Sequence, residues 1–438
     1  LKQLWRLSTL MLAVMLFAGC GAGADKQQTA ERGSDAAKSQ QGQGGASNSG
    51  GASPPAEGGD KGTEDAGKVP SDPVLKQLNK LSTEEKIGQL VLVGMDGTAS
   101  SDATRELLSK YHIGGFIFYK NNIESTQQAL KLFNDLKEDN KSNPIPLWMS
   151  VDEEGGRVSR MPNEFVKVPS SRAIGSKNST ELAKGIGNIL GRELAGFGLN
   201  MDFAPVLDVN SNPKNPVIGD RSFGNKAELV SRLGIAAMEG IREQKVVPVV
   251  KHFPGHGDTS VDSHIGLPVV NHDLARLRQL ELVPFKAAVE HQADVVMIAH
   301  LLMPRIDPDH PASFSKKLIT DLLRGELGFQ GVVISDDMTM GAIEKNYDIG
   351  KASVNAILAG GNMILVGHDY EKEKMAINAL KKAVEGGRIS EDMLNNRVYA
   401  ILKLKQKYDI SDGPAAGPDV KIINDDLKAL LKKYGLRK

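Results

Sequence analysis

Fourteen residues from Lys251 to His264, KHFPGHGDTSVDSH, hold three histidines, two aspartates and a lysine. Pro254, Gly255 and Gly257 bend the chain between them. Asp262 and His264 lie two residues apart, just before Gly266 and Pro268, on what reads as an exposed and mobile loop. A carboxylate beside an imidazole suits general acid–base work. It orients one ring nitrogen and stabilises the imidazolium, so the other nitrogen can give or take a proton near neutral pH. Histidine and aspartate also bind zinc or manganese, but the spacing is not one of the usual helical His pairs, and no Cys or Glu completes a set. A polar surface loop is the plain alternative.

Three further segments could contribute chemistry. ISDDMTMG (334–341) sets two carboxylates side by side, Asp336 and Asp337, at the end of an apolar run. Adjacent buried acids are costly without partners. One of them could attack as a nucleophile while the other is held by backbone donors or caps a helix, a role that suits Asp337. SVDEEGGRVSRM (150–161) carries Asp152 before a Gly-Gly turn, with Arg157 and Arg160 as possible partners for the acids. GDRSFG (219–224) offers Arg221, a residue type that binds hydroxyl groups or keeps a carboxylate ionised.

The elements that must deliver these residues follow a clear rhythm. Short apolar, β-rich runs occur at 90–95, 114–119, 146–152, 201–209, 246–252, 294–300, 331–337 and 362–368. Amphipathic helical stretches lie between them, the first opened by a capping-box pattern at Ser82–Glu85. Buried parallel strands alternating with helices point to an α/β fold, a (β/α)8 TIM barrel forming a single catalytic domain over residues 72–410. A doubly wound open sheet is the competitor, and the lack of a Gly-rich loop after the first strand disfavours it. Most runs end on a polar residue: Asp152, Asp208, His252, His300, Asp336 with Asp337, and His368. In a parallel barrel those ends open onto one face, where active sites form.

Composition narrows the function classes. The 438 residues carry 54 basic and 54 acidic side chains, and aromatics are 5%. Such a balance leaves no electrostatic footprint for nucleic acid. The first twenty residues read as a signal peptide: basic Lys2 and Arg6, an apolar run from Leu10 to Phe17, then Ala-Gly-Cys. Small residues before Cys20, the chain's one cysteine, resemble a bacterial lipobox. Cys20 is therefore expected to be lipidated, anchoring an exported protein on the extracytoplasmic face of the cell membrane. Residues 21–71 are rich in Gly, Ala, Ser and Gln and read as a flexible tether, and residues 411–438 as a basic tail that packs on the barrel or frays from it.

Taken together, the segments resemble the bacterial β-N-acetylglucosaminidases of glycoside hydrolase family 3. KHFPGHGDTSVDSHIGLP matches that family's signature position for position, and SVDEEGGRVSR, FAPVLDVN, GDRSFG and ISDDMTMG follow the family's order. The resemblance spans about Leu75 to Tyr408. It implies a retaining mechanism with Asp336 as nucleophile and a glycosyl-aspartate intermediate. It makes the Asp262–His264 pair the acid/base, and Asp152, Arg221, Lys251 and His252 the holders of the terminal sugar. It implies no cofactor and no metal, a loop that closes over bound sugar, and no chemistry for His256. The substrate it suggests is terminal β-linked GlcNAc on peptidoglycan fragments (GlcNAc-MurNAc). Two alternatives remain at this level: a phosphorylase of the same family, and a non-catalytic, lipid-anchored sugar-binding protein.

Overall fold

The computed structural model describes residues 72–436. The signal segment, Cys20, the tether up to residue 71 and the last two residues lie outside them.

Eight strands form a closed parallel barrel in sequence order: β1 (Val91–Val93), β2 (Gly115–Phe118), β3 (Trp148–Val151), β4 (Met201–Asp202), β5 (Val247–Phe253), β6 (Val295–Ile298), β7 (Val332–Asp337) and β8 (Met363–Val366). The ring closes where β1 pairs with β8, Val91 opposite Ile364 and Val93 opposite Val366. Nearly every strand residue is buried, as expected when side chains fill the barrel on one side and meet helices on the other. The expected TIM barrel is the observed fold, with each apolar run supplying one strand.

Local signals act where the sequence places them. The Ser82 hydroxyl accepts from the Glu85 N–H at 3.2 Å, and the Glu85 carboxylate accepts from the Ser82 N–H at 2.7 Å, opening the helix Thr83–Gly88. The run 201–209 departs from expectation, because only Met201–Asp202 is strand. Pro205 has no N–H to give a ladder, and pairing resumes only as an isolated bridge between Val206 and Lys251. Asp208 therefore reaches the top face on irregular chain.

The helix Val420–Lys433 buries Ile423, Leu427 and Leu431 and packs on the helix Thr180–Gly196, so this part of the C-terminal segment covers the barrel's outer layer. Among the described residues no helix is long and apolar enough to cross a membrane.

The helices Thr180–Gly196 and Ala227–Glu243 make the most extensive helix contact in the fold, and glycine permits it. A Cβ added at Gly187 would lie 2.1 Å from the Ala237 carbonyl oxygen, so backbone would have to move. Gly187→Val is expected to cost about 1–3 kcal/mol in chemical denaturation. Gly185→Ala, whose nearest neighbour is the flexible tip of Leu430 at 3.0 Å, should cost much less.

Candidate active site

The C-terminal strand ends surround a cavity of about 360 Å³ lined by Asp152, Arg221, Lys251, His252, His264 and Asp336, among others. Six of the seven residues singled out as catalytic or sugar-holding thus line one space. The seventh, Asp262, sits behind His264.

One wall is an ion lattice centred on Glu154. Lys251, 1% exposed, places Nζ 2.5 Å from Asp152 Oδ1 and 2.8 Å from Glu154 Oε1. Arg221 grips the same Glu154 with two bonds, Nε to Oε2 at 2.8 Å and Nη2 to Oε1 at 2.7 Å. Burial alone would raise the pKa of Glu154, but Arg221 and Lys251 outweigh it and hold the carboxyl far below its usual range. The same pairing outweighs burial for the cations and raises both Lys251 and Arg221. Asp152 also faces Arg160 at 3.5 Å, whereas Arg157 turns away to Asp220 at 2.9 Å.

The lattice continues through His252. Its Nδ1 lies 2.6 Å from Asp208 Oδ2 and its Nε2 3.3 Å from Arg221 Nη2. A ring that donates from Nδ1 to the carboxylate and accepts at Nε2 from the guanidinium satisfies both contacts in the neutral tautomer. Consecutive residues of a regular strand face opposite sides, yet Lys251 and His252 both enter the site. The ladder between β5 and β6 slips between Val250 and Phe253, and such an irregularity re-aims side chains.

The adjacent acids of β7 have separate surroundings. Asp336 lines the cavity, and its Oδ1 accepts the Asp337 N–H at 2.8 Å. Burial would raise its pKa, but the imidazoles of His300 and His252 and that N–H outweigh burial and keep it lowered, hence ionised. Asp337 is tied into the scaffold. Its Oδ1 accepts from Gly367 N at 2.8 Å, Thr339 N at 2.9 Å and Thr339 Oγ1 at 2.7 Å, and Oδ2 accepts from Tyr119 at 3.3 Å. It does not cap a helix, because the next one begins at Gly341 after Met340. Instead it ties β7 to the end of β8. His300 is buried, 2.9 Å from the Asp337 carbonyl and 2.7 Å from Ser313, and His368 stacks on Tyr119 at 4.4 Å.

The opening histidines take three separate positions. His252 belongs to the lattice. His256 is buried, bonded to Thr259 at 2.8 Å and to Ser263 at 3.2 Å, and burial followed by the nearby His252 pushes it down to about 4. It is a neutral brace between the two ends of the loop. His264 is 66% exposed, with Nδ1 2.8 Å from Asp262 Oδ1, and the same oxygen accepts the His264 N–H at 2.9 Å. With Nδ1–H donated to Asp262, Nε2 is free to exchange a proton. The loop is docked, since Ser263 O accepts from Ala342 N at 2.9 Å and Ile265 O from Lys345 Nζ at 2.7 Å. Among the described residues no three His, Cys, Asp or Glu side chains are grouped to hold a metal ion.

Residues 82–404 match the family described as the glycosyl hydrolase family 3 N-terminal domain. The chain belongs to glycoside hydrolase family 3. A family 3 β-N-acetylglucosaminidase from Paenibacillus sp. str. FPU-7 has 43% identity and a TM-score of 0.76, covering 81% of this chain and 69% of its own. The β-hexosaminidase of Nitrosomonas eutropha is 33% identical over 329 residues, 73% of this chain and 93% of that protein. β-Hexosaminidase A of Pseudoalteromonas piscicida is 34% identical over 335 residues, but the chain spans only 56% of that relative's length.

Within this family 3 barrel, sequence reasoning did not single out Glu154 as the hub or Asp208 as the partner of His252. The available signals were the second acid of Asp-Glu-Glu and the strand-end position of Asp208. Replacing Glu154 with Ala leaves two buried cations short of a counter-charge. We expect a loss of about 3–5 kcal/mol in unfolding free energy, with Glu154→Gln milder. The folded pKa of Glu154 is depressed, so its stabilisation is complete above the ordinary value of 4.5 and is lost as pH falls below that value toward the folded pKa. Unfolding measured between pH 7 and pH 3 should show a shallower acid loss in Glu154→Gln than in wild type.

Proposed function

We propose that this family 3 hydrolase is an exo-acting, retaining β-N-acetylglucosaminidase that removes terminal β-linked GlcNAc from peptidoglycan fragments. The observation that carries the reading is a division of charge across one cavity. Asp336, held ionised, and His264, backed by Asp262 on the docked loop, line the same space. The printed names of the Paenibacillus, Nitrosomonas and Pseudoalteromonas relatives support the activity. The ion lattice closes the glycone end, which favours attack at chain ends.

In the first step, the lattice holds the terminal sugar through the donors of Lys251 and Arg221, with His252 fixed beside them between Asp208 and Arg221. Asp336 attacks the anomeric carbon as the glycosidic bond breaks, and protonated His264 gives its Nε2 proton to the departing oxygen. In the second, neutral His264 takes a proton from water. That water attacks the same carbon and frees Asp336. Fixed hydrogen bonds that strengthen as oxocarbenium character develops lower both barriers. Asp262 stabilises the imidazolium and fixes its tautomer. Export and lipid attachment at Cys20 would set this chemistry on the outer face of the membrane, where wall fragments are released.

The test is release of 4-nitrophenol from 4-nitrophenyl β-GlcNAc, with and without EDTA and phosphate. Wild type should be active and indifferent to EDTA, yielding GlcNAc whether or not phosphate is present. His264→Ala should lose about 10²–10⁴ in kcat/KM, and Asp336→Ala about 10⁴ or more. Activity that survives Asp336→Ala removes the nucleophile assignment, and GlcNAc-1-phosphate as product moves the reading to phosphorolysis.

A further inference from the structure

The cations at the glycone end of the cavity are all paired. Lys251, Arg221 and Arg160 each have a carboxylate partner in Asp152 or Glu154. Lys345 is the fourth Lys or Arg lining the cavity, and among the described residues it has no carboxylate partner. The neighbouring acid, Glu344, is occupied by Lys372 at 2.5 Å. Lys345 is exposed and gives one N–H to the carbonyl of Ile265, the residue after His264, at 2.7 Å. An ammonium has three donors, so two remain.

Position gives this spare charge a use. His264 must touch the glycosidic oxygen, so the leaving group passes between its ring and the cavity mouth. The backbone of His264 is pressed against the segment that carries Lys345: a Cβ at Gly341 would lie 2.5 Å from His264 O, and Ala342 N donates to Ser263 O at 2.9 Å. His264 and Lys345 thus line the same cavity, with the Lys345 ammonium on the carbonyl of the residue after His264, so a group attached to the scissile oxygen has Lys345 among its surroundings. Ionised Asp336 opposes an acidic leaving group, and the paired cations at the glycone end cannot compensate.

We propose that Lys345 is a specificity-determining residue that recognises a carboxylate on the aglycone, so that the preferred leaving group is a sugar acid rather than a neutral sugar. The inference rests on the peptidoglycan reading above and sharpens it, since the MurNAc half of GlcNAc-MurNAc carries such a carboxylate on its lactyl ether.

The experiment compares kcat/KM of the full chain for GlcNAc-MurNAc and for its methyl ester, which removes the charge by adding one methyl group. Wild type should prefer the acid about two- to fivefold, as expected for an exposed charge-assisted contact, and the preference should shrink with added salt. Lys345→Met should bring the ratio near one, and Lys345→Arg should keep most of it. An equal fall on both substrates in Lys345→Met would make the residue only a brace for the loop and overturn the proposal. So would a wild type indifferent to the ester. Release of 4-nitrophenol from 4-nitrophenyl β-GlcNAc is read in parallel. If that activity is present while the ratio does not respond to Lys345, this inference falls and the glycosidase reading stands.

Discussion

The site depends on a single carboxylate sharing itself between two buried cations. Glu154 accepts from Lys251 and from both arms of the Arg221 fork. Taking three charges out of water is expensive, and mutual attraction offsets that cost only when geometry is good and the remaining donors are satisfied. The barrel provides that geometry. Glu154 follows β3, Arg221 comes from the loop after β4, and Lys251 ends near the tip of β5. Neighbouring strands thus aim one acid and two bases at the same point, and closure of the sheet prevents them from drifting apart. Asp152, Arg160, His252 and Asp208 extend the same alternation of charge outward. The result is a wall of donors whose positions are set before any ligand arrives, the condition under which electrostatic stabilisation is most effective.

Identical residue types gain different chemistry from their surroundings. Asp336 and Asp337 are neighbours in sequence, but three donors on Asp337 Oδ1 and Tyr119 on Oδ2 consume its carboxylate in joining β7 to β8, while Asp336 stays open to the cavity. The histidines of the β5 loop diverge in the same way. His256 is dry and neutral, His252 is locked between an acid and a guanidinium, and His264 stands in solvent with an acid behind it. A group that must change protonation during turnover is useful where water can reach it. A group that must hold position is better buried.

Much of this was legible in the sequence because the informative patterns are local. Apolar runs spaced between amphipathic stretches reveal a parallel α/β sheet, since a strand buried on both faces reads as an unbroken apolar run, and eight such runs favour a barrel over an open sheet. The polar residue closing each run marks the top face. The Asp262–His264 pair is visible because its members are two residues apart. Glu154 and Asp208 escaped for the opposite reason. Their partners lie 67 and 44 residues away, and of the consecutive acids Asp152, Glu153 and Glu154, residue type alone does not tell that the first and third enter the lattice while Glu153 accepts from the Arg160 backbone. The cap expected of Asp337 failed because the next helix is capped at Met340, and the Asp337 carboxylate is taken up by Thr339 and by Gly367 just beyond β8. Pro205 was a readable warning against a long fourth strand.

The two ends of the cavity differ in how they are held, and this bears on what each can select. The ion-lattice wall is largely buried, internally paired and held by residues at or just beyond strand ends, a rigid surface suited to the single terminal sugar proposed for it. The opposite side is a docked loop carrying exposed His264, Ile265 and Val261, fastened by a few hydrogen bonds to the segment after β7. Contacts of that kind cost little to break, and the proposed mechanism uses such a loop to admit a substrate and enclose the leaving group. In the proposed mechanism the proton donor, His264, and the proposed aglycone contact, Lys345, sit on or against this segment, so that loop position and leaving-group fit would be linked. A leaving group that seats the loop well also places His264 Nε2 against the oxygen to be protonated. Discrimination at this end should therefore be expressed in the rate of the first chemical step as much as in binding.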